Sequence, residues 1–151
     1  MDDKTVIAPC GMNCSICSRY LARENDTKNE GVEIPYCWGC RVKSQKCAFQ
    51  KKCKLLLKNK INYCFECQDF PCERLQNLDK RYRTHYRMSM IDNLKLIRQY
   101  GILPFLKKEE KKWQCHKCGE WRCCHNGLCF KCDIVKLKHK KKEKLYRWEE
   151  G

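Results

Sequence analysis

Apolar residues recur at helical spacing only in short stretches of this chain, and cysteines or turn-forming residues separate those stretches. The clearest runs from Ser89 to Gly101. Ile91, Leu94 and Ile97 form one stripe, Ser89-x-x-Asp92 is a capping pattern, and Gly101 stops the helix. Cys14 to Glu24 predicts another helix, with Ile16, Tyr20 and Leu21 on one side and the polar run from Asn25 to Asn29 closing it. Ser44 caps a predicted lysine-rich helix reaching about Lys58, whose apolar content is Ala48, Leu55 and Leu56. Pro71 suits the first position of a helix carrying Leu75 and Leu78, with Asp69 or Phe70 as its cap. A short helix follows from Pro104 to Lys112 and leads into Trp113. Strand signals are confined to short ribbons between Gly119 and Leu128.

These stripes are too thin to hold a domain of 151 residues on their own. Leu, Ile, Val and Phe make up only about a fifth of the chain, beside a formal net charge of +15. That balance borders on disorder, so something besides apolar burial must pin the fold. The 16 cysteines are the candidate. The sequence begins with acids and has no apolar run for a secretion signal, and no stretch approaches a membrane span. A cytoplasmic, reducing location is therefore expected, where dense cysteines act as metal ligands rather than disulfides.

Spacing supports ligation. Five pairs are C-x-x-C: Cys14/Cys17, Cys37/Cys40, Cys64/Cys67, Cys115/Cys118 and Cys129/Cys132. A two-residue gap lets both sulfurs of a tight turn reach one tetrahedral ion at about 2.3 Å. Five such pairs in so short a chain argue against a thioredoxin-like redox motif. Cys115, Cys118, Cys129 and Cys132 have the layout of two zinc-ribbon knuckles with ten residues between them. Gly119 supplies the left-handed turn of the first knuckle, and Gly127 relaxes the approach to the second. Cys123, Cys124, His125 and His116 read as hairpin residues, with Cys123, His125 and His116 kept as candidates for a further site. Glu120 is the sole local acid that a catalytic ion could use.

Ten cysteines precede this group: Cys10, Cys14, Cys17, Cys37, Cys40, Cys47, Cys53, Cys64, Cys67 and Cys72. Ten does not divide by four, so their grouping stays open. Cys14 and Cys17 share a face and are expected to share an ion. Cys47 and Cys53 lie about 120° apart around a helix, so they serve different sites or mark a break. Two to four zinc ions are expected in all. An iron–sulfur cluster is the alternative in the amino-terminal half, since four cysteines also hold such clusters. Cys10-x3-Cys14-x2-Cys17 has the spacing of the radical SAM motif, but Ile16 stands where that motif has an aromatic and the chain is too short for the partial barrel.

Order and flanks carry a further likeness. The run from Ile7 through Pro9-Cys10-Gly11-Met12-Asn13-Cys14-Ser15-Ile16-Cys17, then Cys37-Trp38-Gly39-Cys40-Arg41, Cys47, Cys53, Cys64-Phe65-Glu66-Cys67 and Phe70-Pro71-Cys72-Glu73-Arg74-Leu75 resembles the cysteine-rich family catalogued as domain of unknown function 3795. The resemblance covers about residues 5 to 100. It implies a metal-binding module of prokaryotic, often anaerobic, cytoplasm, in which some members end in a similar ribbon. No activity comes with it.

The expected fold is small, metal-stapled and mostly α-helical, with irregular cysteine-rich loops. Residues 1–103 would form a cysteine-rich metal-binding domain, 104–133 a zinc-ribbon-like module and 134–151 a basic helical tail. Residues 1–35 are slightly acidic, so the positive surplus falls on the rest. It concentrates at Lys80 to Arg87, where bases alternate with aromatics, and in the tail from Lys136. Arg81, Arg83, Arg87, Lys140, Lys141 and Lys142 are the candidate phosphate contacts, with Tyr82, His85 and Tyr86 as stacking platforms. The sequence offers no phosphate loop, no Ser/His/Asp set and no recognisable carboxylate pair, which points away from an enzyme. Three roles stay open: a zinc module binding RNA, another nucleic acid or a ribonucleoprotein; an iron–sulfur redox or sensor protein; and a zinc-stabilised adaptor for protein partners. The tail could instead pack Leu137, Leu145 and Trp148 on the body.

Overall fold

The helix expected after Ser89 forms as written. In the computed structural model, which describes residues 6–42 and 47–149, the Ser89 hydroxyl accepts the Asp92 N–H at 3.1 Å. The helix runs over Met90–Tyr100 and ends at Gly101, whose φ is +88°. It is the hub of the molecule, with Met90, Leu94 and Ile97 all buried.

In chain order the α-helices of the described residues are α1 (Ser18–Glu24), α2 (Ala48–Lys51), α3 (Lys54–Leu57), α4 (Glu73–His85), α5 (Met90–Tyr100), α6 (Ile102–Trp113) and α7 (Ile134–His139). Short 3₁₀ turns cover Cys14–Ile16, Thr27–Glu30, Cys64–Glu66 and Lys142–Lys144. No named strand is present among the described residues, only isolated antiparallel bridges Ile7 to Asn13, Gln114 to Trp121 and Arg122 to Cys129. The fold is mostly helical, and the cysteine loops set its irregular parts.

Cysteines cut the predicted helices. Cys14–Ile16 forms a 3₁₀ turn and α1 starts only at Ser18, because extended Cys17 interrupts the run. Extended Cys53 likewise splits the lysine-rich helix into α2 and α3. Its expected cap, Ser44, lies outside the described residues. Pro71 is not the first residue of α4. Cys72 is the cap and Glu73 the first helical residue, so the proline sits one step before the cap. The expected Pro104 helix starts at Ile102 and continues to Trp113, with the proline in its first turn, where a missing N–H costs little.

Two apolar clusters make the core. One gathers Ile7, Ile16, Leu56, Leu75, Leu94, Phe105 and Trp113 about α5. The other joins Leu21, Val32 and Ile34 to Cys123, Phe130, Leu137 and Leu145. Both cross the boundary expected near residue 103. A backbone bond stitches the same seam, Cys124 N donating to Ile16 O at 2.8 Å. Leu137 and Leu145 are buried as the packed-tail alternative expects, and the Trp148 indole donates to Cys124 O at 2.7 Å. No helix of the described residues is long and apolar enough to cross a membrane.

Buried polar groups complete the packing. Asp79 accepts from Ser89 Oγ at 2.7 Å and from Ile91 N at 3.1 Å, and it pairs with Arg83 Nε at 2.7 Å. Asn13, fully buried, accepts the Ser15 N–H and donates to Glu109 at 3.4 Å. Burial raises the Glu109 carboxyl above its ordinary value.

Candidate metal centre

Two turns at the carboxy-terminal end bring four sulfurs together. In the first, Gly119 N donates to Cys115 O at 2.9 Å, with Gly119 at φ +79° as a left-handed turn requires. In the second, Cys132 N donates to Cys129 Sγ at 3.4 Å. Asp133 braces this turn by accepting the Cys129 N–H at 2.9 Å. The Arg122–Cys129 bridge and the Cys115 N–H to Glu120 O bond of 2.7 Å hold the turns facing.

The sulfurs of Cys115, Cys118, Cys129 and Cys132 all lie within 4.8 Å of one another. Cys118 and Cys129 are 3.5 Å apart, and Cys115 and Cys132 are 3.9 Å apart. Four thiolates at about 2.3 Å from a tetrahedral ion stand about 3.8 Å from each other, so the set fits one metal ion with no open position. Backbone N–H groups of Cys118 and Lys117 hold the Cys115 thiol down at about 7. Hydrogen bonding with Cys118 first, then burial, pushes Cys132 up to about 12. Four thiolates this close repel one another, and a cation removes that conflict. Asp133 escaped the sequence reading, and its one signal there was an acid directly after the last cysteine. His116 and Glu120 are exposed.

Cys123 and Cys124 are fully buried beneath this centre. Their neighbour His125 is engaged at both ring nitrogens. Nδ1 accepts the Ser18 N–H at 3.2 Å, which leaves Nε2 to donate to the Tyr82 hydroxyl at 3.0 Å. The Cys123 and Cys124 sulfurs lie 3.9 and 3.8 Å from Nδ1. These contacts make the ring a neutral strut between α1, α4 and the hairpin. Burial, with Arg19 adding to it, lowers its pKa to about 4. The unfolded ring takes a proton below about 6.5 and the folded ring only below about 4, so stability falls as pH drops through that window. The loss is on the order of 3 kcal/mol. His125→Gln should flatten the urea-midpoint profile between those pH values, and profiles that stay parallel would remove the strut from the account.

The ten earlier cysteines fall into two neighbourhoods that meet where Cys10 lies beside Cys64. Cys40 N donates to Cys14 Sγ at 3.4 Å. A hydrogen bond with the Cys40 thiol holds Cys14 below its ordinary value, with help from the Arg41 charge, and Cys40 is pushed up in return. Arg41 is fixed there by Ile7 O at 2.6 Å and by Asn62. Cys10 is raised to about 12, by burial first and by Cys47 and Cys14 as well. Gln50 links Cys47 to Cys40, donating to Cys40 O at 2.8 Å and lying 3.9 Å from Cys47 Sγ. Burial raises Cys17 to about 11, with Cys14 and Cys37 as its charged neighbours. Cys53, Cys64, Cys67 and Cys72 instead line one cavity with Phe49, Ile61, Phe70, Arg74 and Leu75. Cys47 and Cys53 thus lie in different neighbourhoods, and the helix between them is also broken.

Two of the three stacking platforms turn toward the body, and the third, His85, is exposed. Tyr82 and Tyr86 pack edge-on against His125, with ring centroids 5.6 and 4.7 Å away. Of the candidate phosphate contacts, Arg83 pairs with Asp79, Lys140 pairs with Glu149 at 3.5 Å, and Arg87 stacks on Trp148 at 3.8 Å. Arg81, Lys141 and Lys142 are exposed.

Residues 6–77 match the family model described as a protein of unknown function, DUF3795. That match takes in the ten amino-terminal cysteines and ends short of the range over which the motifs resemble the family, while the carboxy-terminal four lie outside it. No curated protein and no solved structure matches the chain.

Proposed function

We propose that this protein is a non-enzymatic metal-binding module whose Cys115, Cys118, Cys129 and Cys132 hold one structural zinc ion. The observation that carries this reading is the convergence of four sulfurs within 4.8 Å. Four ligands complete a tetrahedral shell, and a closed shell leaves no position for substrate or an activated water. The ion would then act by folding the chain, fixing the hairpin against α1 and the packed tail. Elemental analysis of full-length protein prepared without oxygen tests it. One zinc per chain that disappears in Cys118→Ser supports the reading, and a wild type with no zinc overturns it.

A second reading, binding of a polyanion such as RNA, is favoured by one feature. A surface groove of about 620 Å³ is lined by His85, Arg87 and Arg147, with the acid Glu143 among them, and Lys141 and Lys142 stand exposed on the tail. With Tyr82 and Tyr86 packed on His125 and His85 the exposed ring of the three, such binding would run mainly through phosphates rather than stacked bases. Affinity for single-stranded RNA should then fall steeply with salt. Lys141→Gln with Lys142→Gln and Arg147→Gln should weaken it further and flatten the salt slope. Fluorescence anisotropy measures both, and an absent or salt-insensitive signal ends this reading.

A further inference from the structure

We propose that Cys53, Cys64, Cys67 and Cys72 bind a polynuclear iron–sulfur cluster in the cavity they line, a site distinct from the single-ion centre of the hairpin. Two kinds of cysteine quartet occur in this one molecule. In the carboxy-terminal quartet the sulfurs close to 3.5 and 3.9 Å. Among the described residues, no other three thiol, imidazole or carboxylate ligand atoms lie within 4.8 Å of one another. Any three sulfurs of the second quartet are therefore spread too widely for the spacing of about 3.8 Å that one tetrahedral ion imposes.

They are spread around space. The cavity measures about 30 Å³, which exceeds the roughly 10 to 15 Å³ that a single water needs. Phe49, Ile61, Phe70 and Leu75 make its walls apolar, so water has few partners there. The donors converging on it are thiols, which select soft metals and metal–sulfide cores over hard cations. A cluster places its own sulfides between the irons, so its protein thiolates stand farther apart than those sharing one ion. The cluster with four thiolates is also anionic. The Arg74 guanidinium lines the cavity, and its donation to Phe49 O at 2.6 Å anchors it there.

Local structure presents the ligands. Cys64 opens the 3₁₀ turn Cys64–Glu66, fixed by the Glu66 carboxylate accepting the Tyr63 N–H at 2.6 Å. Cys67 ends that turn, and Asp69 N donates to its sulfur at 3.4 Å. Such N–H donation stabilises a ligating thiolate. Cys72 caps α4, and Cys53 sits at the break between α2 and α3. The break that spoils the predicted helix is what delivers the fourth sulfur.

The test uses full-length protein made and kept without oxygen, with iron, acid-labile sulfide and zinc counted per chain. We expect a brown protein with a broad visible band, and iron and sulfide that Cys67→Ser removes while its zinc content stays. Colourless wild type without iron or sulfide overturns the proposal. So does a Cys67→Ser protein that keeps its full iron and sulfide, or one that loses zinc instead. Should that variant not fold, alkylation of the wild type read by mass spectrometry decides. Bleaching by air followed by reduction with a phosphine should expose Cys53, Cys64, Cys67 and Cys72 while Cys118 and Cys129 stay protected until a zinc chelator is added. A bleached and reduced protein in which the first four remain protected overturns the proposal. The hairpin centre fails or stands separately, through the zinc content of Cys118→Ser.

Discussion

Cys118→Ser is expected to abolish the cooperative melting of the carboxy-terminal third of the chain and to loosen α1 along with it. The expectation follows from magnitudes. Apparent binding energies of structural zinc are about 10 to 16 kcal/mol, which rivals the entire net stability of a domain, about 5 to 15 kcal/mol. Serine keeps the size of the side chain but lacks a thiolate, so the cost falls on the ion rather than on packing. What the hairpin holds makes the loss spread. Cys123 and Phe130 share a core cluster with Leu21, Val32 and Ile34, and Cys124 N donates to Ile16 O at 2.8 Å. Once the two turns part, Ser18 loses its acceptor on His125 and Trp148 its acceptor on Cys124. Thermal melts followed by far-ultraviolet circular dichroism, with hydrogen exchange of residues 18–24, would show the effect. Cys132→Ser should behave alike, since it removes another sulfur of the same four. Melting curves that coincide with wild type for both variants would mean that the four sulfurs carry no ion.

This dependence was legible in the sequence because two-residue spacing is local. Cys115, Cys118, Cys129 and Cys132 could be paired on paper, and they meet in space. The mostly helical class and the α5 cap at Ser89 were legible for the same reason. Grouping of the ten earlier cysteines was not, because it depends on where loops of ten to twenty residues return. Periodicity also failed at Cys17 and Cys53. Each continues an apolar helical pattern but adopts an extended conformation that turns its sulfur out of the helical path. Tyr82 and Tyr86 illustrate a further limit. Bases alternating with aromatics read as a nucleic-acid surface, yet a helix puts residues four apart on one face, and that face packs on His125. Asp79 and Asn13 gave no signal, since a buried polar group is defined by partners remote in the chain.

Gly11→Ala should be among the most damaging substitutions that leave every sulfur in place. Gly11 lies between Cys10 and Cys14 with φ +93°, a conformation that L side chains rarely adopt. Its backbone is gripped from both sides, with Gly11 N donating to Ala8 O at 2.9 Å and Gly11 O accepting Asn93 Nδ2 at 2.9 Å. A Cβ added there would meet Met90 O at 2.5 Å and Leu94 Cγ at 2.9 Å. Met90 O belongs to the backbone of α5, so no rotamer change relieves the contact. Backbone strain costs about 1 to 2 kcal/mol and forced overpacking about 1 to 3 kcal/mol more. The sum, about 2 to 5 kcal/mol, is a large share of the net stability of a domain. Gly101→Ala separates the two parts. Gly101 has φ +88° but nothing within 4 Å of its added Cβ, so only the strain remains. Urea midpoints should therefore rank wild type, then Gly101→Ala, then Gly11→Ala, with the second gap at least as wide as the first. Equal losses in the two variants would show that the cysteine loop does not rest on α5, and that α5 is not what positions Cys10 and Cys14.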